Sequence, residues 1–206
     1  MDEILKYYTN LTQLQRSQLE ALQSLYSDLN AKVNVISRKD IDNLYVNHVM
    51  HSMVISKLIT PVGGTAFIDL GCGGGFPGIP LAILWPDCTF HLIDRVGKKV
   101  KVAQTVAEAI GLQNVTFQHG DSGECRRKFD FVVSRAVMTL PDLIKASLHL
   151  VGGKSKNKLP NGLICLKGGN LDEEIKLSRR DILAVPLSDY YTEPYFETKQ
   201  LLYTPL

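Results

Sequence analysis

Apolar positions change their period partway along the chain. Up to residue 60 they recur every three or four places, and Leu19, Leu22, Leu25, Tyr26 and Leu29 fall on one face of a helix. Thr12, followed three places on by Gln15, predicts a capping box that opens this helix. Residues 34–39 interrupt the pattern, and Asp40 is placed to cap a second helix with Ile41, Leu44, Tyr45, Val49, Ile55 and Leu58 facing inward. Pro61 and the pair Gly63-Gly64 end it.

Beyond residue 64, short apolar runs alternate with helical spacing. Strands are predicted over 66–70, 89–93 (ending at Asp94), 115–118, 129–134 and 162–166. Helices are predicted over 79–84, 98–110, 140–150 and 171–183. In the last, Glu173 and Glu174 come early and Arg179 and Arg180 late, which suits the helix dipole. Two final β-like runs, 185–191 and 196–203, predict an antiparallel hairpin at a sheet edge. The alternation predicts an α/β fold, a doubly wound and mostly parallel sheet with that C-terminal hairpin and an N-terminal helical extension. Residues 1–60 form the extension, packed on the core, and residues 61–206 the α/β domain. Ligands of such sheets bind beyond the carboxyl ends of the strands, and the glycine-rich turn 71–75 follows the first strand at that end.

Composition narrows the class. With 206 residues and 45% hydrophobic side chains, the chain can bury a sizeable core. A net charge of +2 neither demands nor forbids a nucleic-acid partner. Cys72, Cys88, Cys125 and Cys165 form no Cys-x-x-Cys pair, which argues against zinc and for reduced thiols. The start Met1-Asp2-Glu3 lacks a basic segment with a long apolar run, and no stretch reaches membrane-spanning length. A cytoplasmic chain without membrane contact is expected.

Two cofactors compete for the turn Asp69-Leu70-Gly71-Cys72-Gly73-Gly74-Gly75-Phe76-Pro77-Gly78. Gly73, Gly75 and Gly78 satisfy G-x-G-x-x-G, and Asp94 lies at the right distance to hold a ribose, as in dinucleotide sites. Asp69 argues the other way. At the mouth of the pocket its carboxylate would repel a pyrophosphate and attract the sulfonium and ammonium groups of S-adenosylmethionine. A turn with no ligand is the bland alternative.

The sequence resembles the RsmG family, also called glucose-inhibited division protein B. The resemblance spans nearly the whole chain. Its marks are Val33-Asn34-Val35-Ile36, His48-x-x-His51-Ser52, the run from Asp69 to Ala82, Asp94 with Lys98-Lys99, residues 111–115, Ser134-Arg135-Ala136-Val137 and Lys167-Gly168. It implies an S-adenosylmethionine-dependent methyltransferase acting on N7 of a guanine in small-subunit (16S) ribosomal RNA, with an intact or nearly assembled 30S subunit as partner. By position it implies cofactor contacts at Gly71 and Phe76, a ribose contact at Asp94, and Arg135 beside the cofactor. The family's Ala-Glu pair at the adenine aligns with Ser122-Gly123, with Glu124 next along. The family's His-x-x-Asp-Ser is His48-x-x-His51-Ser52 here, so any role of that Asp does not transfer. Together with the glycine-turn chemistry, this gives Asp69, Gly71, Gly73, Phe76, Asp94, Ser122, Gly123 and Arg135 as the cofactor set.

The residue types fit such a reaction. Pyrimidine carbon-5 methylation needs a cysteine nucleophile, usually in Pro-Cys or Thr-Cys, and adenine amino methylation usually uses Pro-Pro; the chain has none of these. N7 of guanine carries a lone pair and no proton, so alignment suffices and no catalytic residue is named. Arg135, Lys98 and Lys167 are the RNA-side candidates, Arg135 through guanine O6 or a phosphate, or else in a salt bridge to Asp69, Asp94 or Glu124. Further basic clusters occur at Arg95, Lys99 and Lys101, at Arg126, Arg127 and Lys128, and at Lys154, Lys156 and Lys158. His48 and His51 lie one helical turn apart and suit a core role better than a metal site. A small-molecule methyltransferase and a nucleotide-binding module remain alternatives, and a monomer is the default state.

Overall fold

The computed structural model describes residues 1–37, 39–135 and 137–206. Arg38 of the break at 34–39 and Ala136 of the Ser134-to-Val137 motif lie outside them. The chain opens with α1 (Asp2–Tyr7) and α2 (Gln13–Asn30). The capping box forms, with Thr12 Oγ1 accepting from Gln15 N at 3.2 Å and Gln15 Oε1 from Thr12 N at 2.9 Å. Leu19, Leu22 and Tyr26 are buried along α2.

The second helix departs from expectation. It breaks into a 3-10 turn (Ile41–Asn43), a π-helical stretch (Tyr45–Met50), α3 (His51–Met53) and α4 (Ile55–Leu58). Asp40 makes no cap bond; its carboxylate accepts from Ser37 Oγ at 2.7 Å and Asn47 Nδ2 at 3.0 Å instead. Within the π-helical stretch the carbonyl of Asn47 accepts from Arg135 Nη1 at 3.0 Å and Tyr195 OH at 3.1 Å.

The sheet follows as β1 (Ala66–Leu70), α5 (Gly78–Leu84), β2 (Thr89–Asp94), α6 (Gly97–Ala109), β3 (Val115–His119), β4 (Phe131–Arg135), α7 (Leu140–Ser147) and β5 (Gly162–Gly168). It continues with α8 (Asp172–Ser178), β6 (Leu183–Pro186) and β7 (Lys199–Pro205). The strand order is β3-β2-β1-β4-β5-β7-β6. β1 to β5 run parallel, and β7 runs antiparallel to both β5 and β6. The order therefore reverses between β1 and β4, which places a crevice at their carboxyl ends.

The C-terminal pair is antiparallel, but its second strand lies inside the sheet and β6 forms the edge. The first predicted run is displaced, because the chain turns at Pro186 into a 3-10 segment, Leu187–Asp189. The second starts later, since Phe196 sits buried in another, Pro194–Phe196. α8 stops at Ser178 rather than 183 because Arg179 takes a left-handed conformation with φ of 53°.

Successive strand residues face opposite layers. Phe67, Phe90 and Phe131 share one apolar cluster with Leu19, Leu22, Tyr26 and Met50 of the N-terminal helices. Ile68, Val132 and Leu163 join Leu143 and Ile144 of α7 on the other face. All four cysteines are free and buried.

Candidate functional site at the glycine turn

The turn after β1 bends through Gly71, with φ of 72°, and Gly73, with φ of 54°. A Cβ at Gly71 would come 2.6 Å from Val137, so that position is closed by packing. A Cβ at Gly73 would meet nothing within 4 Å. Gly73 is held to glycine by its positive φ rather than by a crowding neighbour, and the space beside it is open. Asp94 at the end of β2 clamps the turn, with Oδ2 accepting from Gly73 N and Oδ1 from Val96 N, both at 2.8 Å. From below, the buried Tyr26 hydroxyl donates to Gly74 O at 2.7 Å. Tyr26→Phe leaves that carbonyl unpaired and is expected to cost about 1–2 kcal/mol in a urea unfolding curve.

Two cavities meet at this turn. One, of about 260 Å³, is walled by Leu70, Ile93, Val137 and Met138, with Gly71, Asp94 and Ser122 at its polar rim. The other, of about 300 Å³, is lined by Gly71, Gly73, Gly74, Phe76, Asp94, Lys99 and Arg135. Apolar walls suit a flat purine, a carboxylate at the junction suits ribose hydroxyls, and a bare backbone admits an extended polar chain. The two spaces share Gly71, Asp94 and Val137.

Asp69 requires a correction. It does not stand at the mouth of the pocket: it is fully buried and lines neither cavity. Its strand position turns it under the glycine turn, where Oδ2 accepts from Gly78 N at 2.7 Å and orders the start of α5. Burial pushes its carboxyl up to about 7, against the Gly78 bond and Arg135, which favour the charged form. Between the unfolded value of about 4 and this one, the folded chain holds a proton that the unfolded chain releases. The contribution of Asp69 to stability therefore falls as pH rises through that window and levels off above it. Asp69→Asn should shrink the stability loss between pH 5 and pH 8 by on the order of 2 kcal/mol, read from denaturant melts at both values.

The adenine-side expectation divides. Ser122 reaches the first cavity. Gly123 is not part of its lining, and its N–H is committed to Asp121 Oδ1 at 2.8 Å. Glu124 folds back in the same turn, accepting from Asp121 N at 3.4 Å.

Arg135 ends β4 between the glycine turn and the broken helix. Its guanidinium donates to Asn47 O and to His48 Nδ1, the latter at 2.8 Å, and lies over the Phe76 ring at 5.2 Å. The salt bridge to Asp69, Asp94 or Glu124 is absent among the described residues. A third cavity, of about 250 Å³, opens on the far side of Arg135, lined by His48, His51, Leu166, Lys167, Gly168, Tyr195 and Lys199. Arg135 belongs to the walls of both this space and the glycine-turn cavity.

The lysine expectations fare unevenly. Lys98 is exposed and lines none of the three cavities, whereas its neighbour Lys99 reaches the glycine turn. Lys167 lines the third cavity, but its charge is met by Glu174 at 2.8 Å and it donates to Met138 O at 2.7 Å. Lys156 binds Gly64 O and Asp130, which places its loop at the amino ends of the strands, away from the crevice. Arg95 is paired with Asp121. Tyr195 and Lys199 were not anticipated. They lie far along the sequence in no motif, and only the insertion of β7 beside β5 brings them to the site.

Comparison with known proteins adds the following. The family described as rRNA small subunit methyltransferase G matches residues 15–197. A protein of Bacteroides thetaiotaomicron named ribosomal RNA small subunit methyltransferase G is 55% identical over 206 residues, covering 100% of both chains. One of the same name from Phocaeicola vulgatus is 54% identical, covering 100% of this chain and 99% of its own. Among solved structures, fibrillarin of Aeropyrum pernix with natively bound S-adenosyl-L-methionine is similar in fold, with a TM-score of 0.56 at 12% identity. That match covers 75% of this chain and 73% of the fibrillarin.

Proposed function

The chain belongs to the rRNA small subunit methyltransferase G family, and from that premise we propose that it transfers a methyl group from S-adenosylmethionine to N7 of a guanine in small-subunit (16S) ribosomal RNA. The observation that carries this reading is the meeting of the glycine-turn space and a second, basic space at one side chain, Arg135. A methyl donor on one side and a nucleotide base on the other would face each other there.

S-adenosylmethionine, when bound, supplies an electrophilic methyl on a cationic sulfur. The residues of this chain have the task of placement. Leu70, Ile93, Val137 and Met138, with Ser122 at the rim, would hold the adenine. Asp94, kept fixed by its backbone bonds, would accept from the ribose hydroxyls. Gly73 would leave room for the amino-acid portion, and Phe76 supports Arg135 from beneath. Asp69 acts one layer back, by fixing Gly78. Arg135, with no carboxylate of its own, orients the base through O6 or a phosphate. The guanine N7 needs no proton removed, so no general base is required and the rate follows from alignment.

Lys99 and Lys199 are better placed than Lys98 to meet RNA phosphates, and Lys167 contributes by holding the loop at Met138. Residues 1–60 serve as an extension carrying His48 and His51, and residues 61–206 as the methyltransferase domain. The substrate is RNA within the 30S subunit, met by a monomer in the cytoplasm. Among the described residues no helix is long and apolar enough to cross a membrane.

Mass mapping of ribosomal RNA tests the reading. Cells lacking the gene should lose one N7-methylguanine from the small subunit and regain it on complementation. An unchanged methylation map would overturn it. Calorimetry should detect S-adenosylhomocysteine and not NAD; the reverse would exclude methyl transfer altogether.

A further inference from the structure

Two imidazoles line the cavity beyond Arg135, and each has one nitrogen without a partner. His48 Nε2 and His51 Nε2 are both buried and unbonded. Their other nitrogens are each bonded to a neighbour, from which a tautomer follows. An arginine only donates, so His48 Nδ1, 2.8 Å from Arg135 Nη2, is the bare acceptor. In a neutral ring the proton then sits on His48 Nε2. Burial, followed by the charge of Arg135, pulls His48 down to about 3 and keeps it neutral.

For His51 the logic inverts. The Tyr195 hydroxyl spends its single proton on Asn47 O. It therefore accepts from His51 Nδ1 at 3.1 Å, and that nitrogen carries the proton. His51 is likewise held neutral by burial, so its Nε2 is a bare lone pair. Beside the cavity lie one buried donor, His48 Nε2–H, and one buried acceptor, His51 Nε2, with their tautomers set in opposite senses. Buried polar atoms without partners are rare in folded proteins, and a ligand is the natural completion.

We propose that His48 and His51 read the Watson–Crick edge of the target guanine, His48 Nε2–H donating to O6 and His51 Nε2 accepting from N1–H. This rests on the reading of the chain as a guanine-N7 methyltransferase. A base taken out of its stack is commonly recognised by this edge. Adenine presents the opposite order, a donor at position 6 and an acceptor at N1, and so meets two like groups. Engaging O6 and N1–H leaves N7 free, as methyl transfer demands. Both Nε2 atoms are buried in the free protein, so this reading requires the two imidazoles to turn toward the cavity when the base seats.

The test uses the full-length enzyme and 30S particles reconstituted with RNA carrying guanine, inosine or 1-methylguanine at the target position. Inosine keeps O6 and N1–H and should stay within about threefold of guanine in kcat/KM, whereas 1-methylguanine should fall by at least about 30-fold. His51→Leu should lose about tenfold or more on guanine and discriminate less against 1-methylguanine, with S-adenosylhomocysteine affinity within about twofold. His51→Gln, whose amide oxygen stands near the position of Nε2, should restore much of the loss. The assignment is overturned if the wild-type enzyme treats 1-methylguanine as it treats guanine, or if His51→Leu keeps the full guanine rate. Failure of the guanine control itself would bring down the underlying function, and this assignment with it.

Discussion

Valine in place of Gly73 should abolish cofactor binding and leave the protein folded. The two effects separate because the site is open. A side chain there touches no other atom within 4 Å of its Cβ, so no core packing is disturbed. It must adopt φ near 54°, a left-handed conformation that costs a non-glycine residue about 1–2 kcal/mol. That is a tolerable fraction of a domain's stability. The isopropyl group occupies the space lined by Gly71, Gly74, Phe76 and Asp94. The loss in S-adenosylhomocysteine affinity should exceed about 100-fold, or roughly 2.7 kcal/mol. Calorimetry with a thermal melt reads both quantities. Undiminished affinity in a folded variant would remove the cofactor from this turn.

The second large effect concerns Arg135. Arg135→Met keeps an unbranched apolar stem but removes the guanidinium, with its five donors and its contact over Phe76. Methyl transfer to 30S particles should fall by about 100-fold or more. Stability should change far less, because two contributions oppose. Asn47 O and His48 Nδ1 lose a donor, at about 1–3 kcal/mol for a group left bare. Asn47 O retains Tyr195, and an enclosed cation without a carboxylate no longer has to be desolvated. A melting temperature lowered by about 2–8 °C is expected. Single-turnover rates beside a melt distinguish this from general unfolding, and normal turnover would defeat the role given to Arg135.

What the sequence made legible follows the range of the interactions. Local rules sufficed for the capping box of Thr12 and Gln15, for the parallel strands, and for the turn at Gly71 and Gly73. Each depends on neighbours a few residues apart. Asp94 is legible as a residue of the candidate site, because strand-ending position and spacing single it out, and it lines both cavities at the turn. Asp69 was misplaced, since an alternating strand pattern does not reveal which way a residue beside a turn will face. Burial rather than proximity to glycine decides its role. The tie between the second helix and the site is hidden for a related reason: the side chains bonded to the Asn47 carbonyl, Arg135 and Tyr195, lie 88 and 148 residues away. Tyr195 and Lys199 were invisible as site residues because no local pattern announces that β7 will lie inside the sheet.

That placement of β7 bears on how the molecule is made. A chain emerging amino end first can assemble β1 to β5 early, yet β5 is left with a raw flank until residues 199–205 arrive to fill the gap before β6. An unfinished polypeptide would expose that flank, a template for clumping and an easy mark for proteases. It would also lack Lys199. Translation errors that cut synthesis short should therefore yield debris for disposal rather than half-competent enzymes loose among the ribosomes.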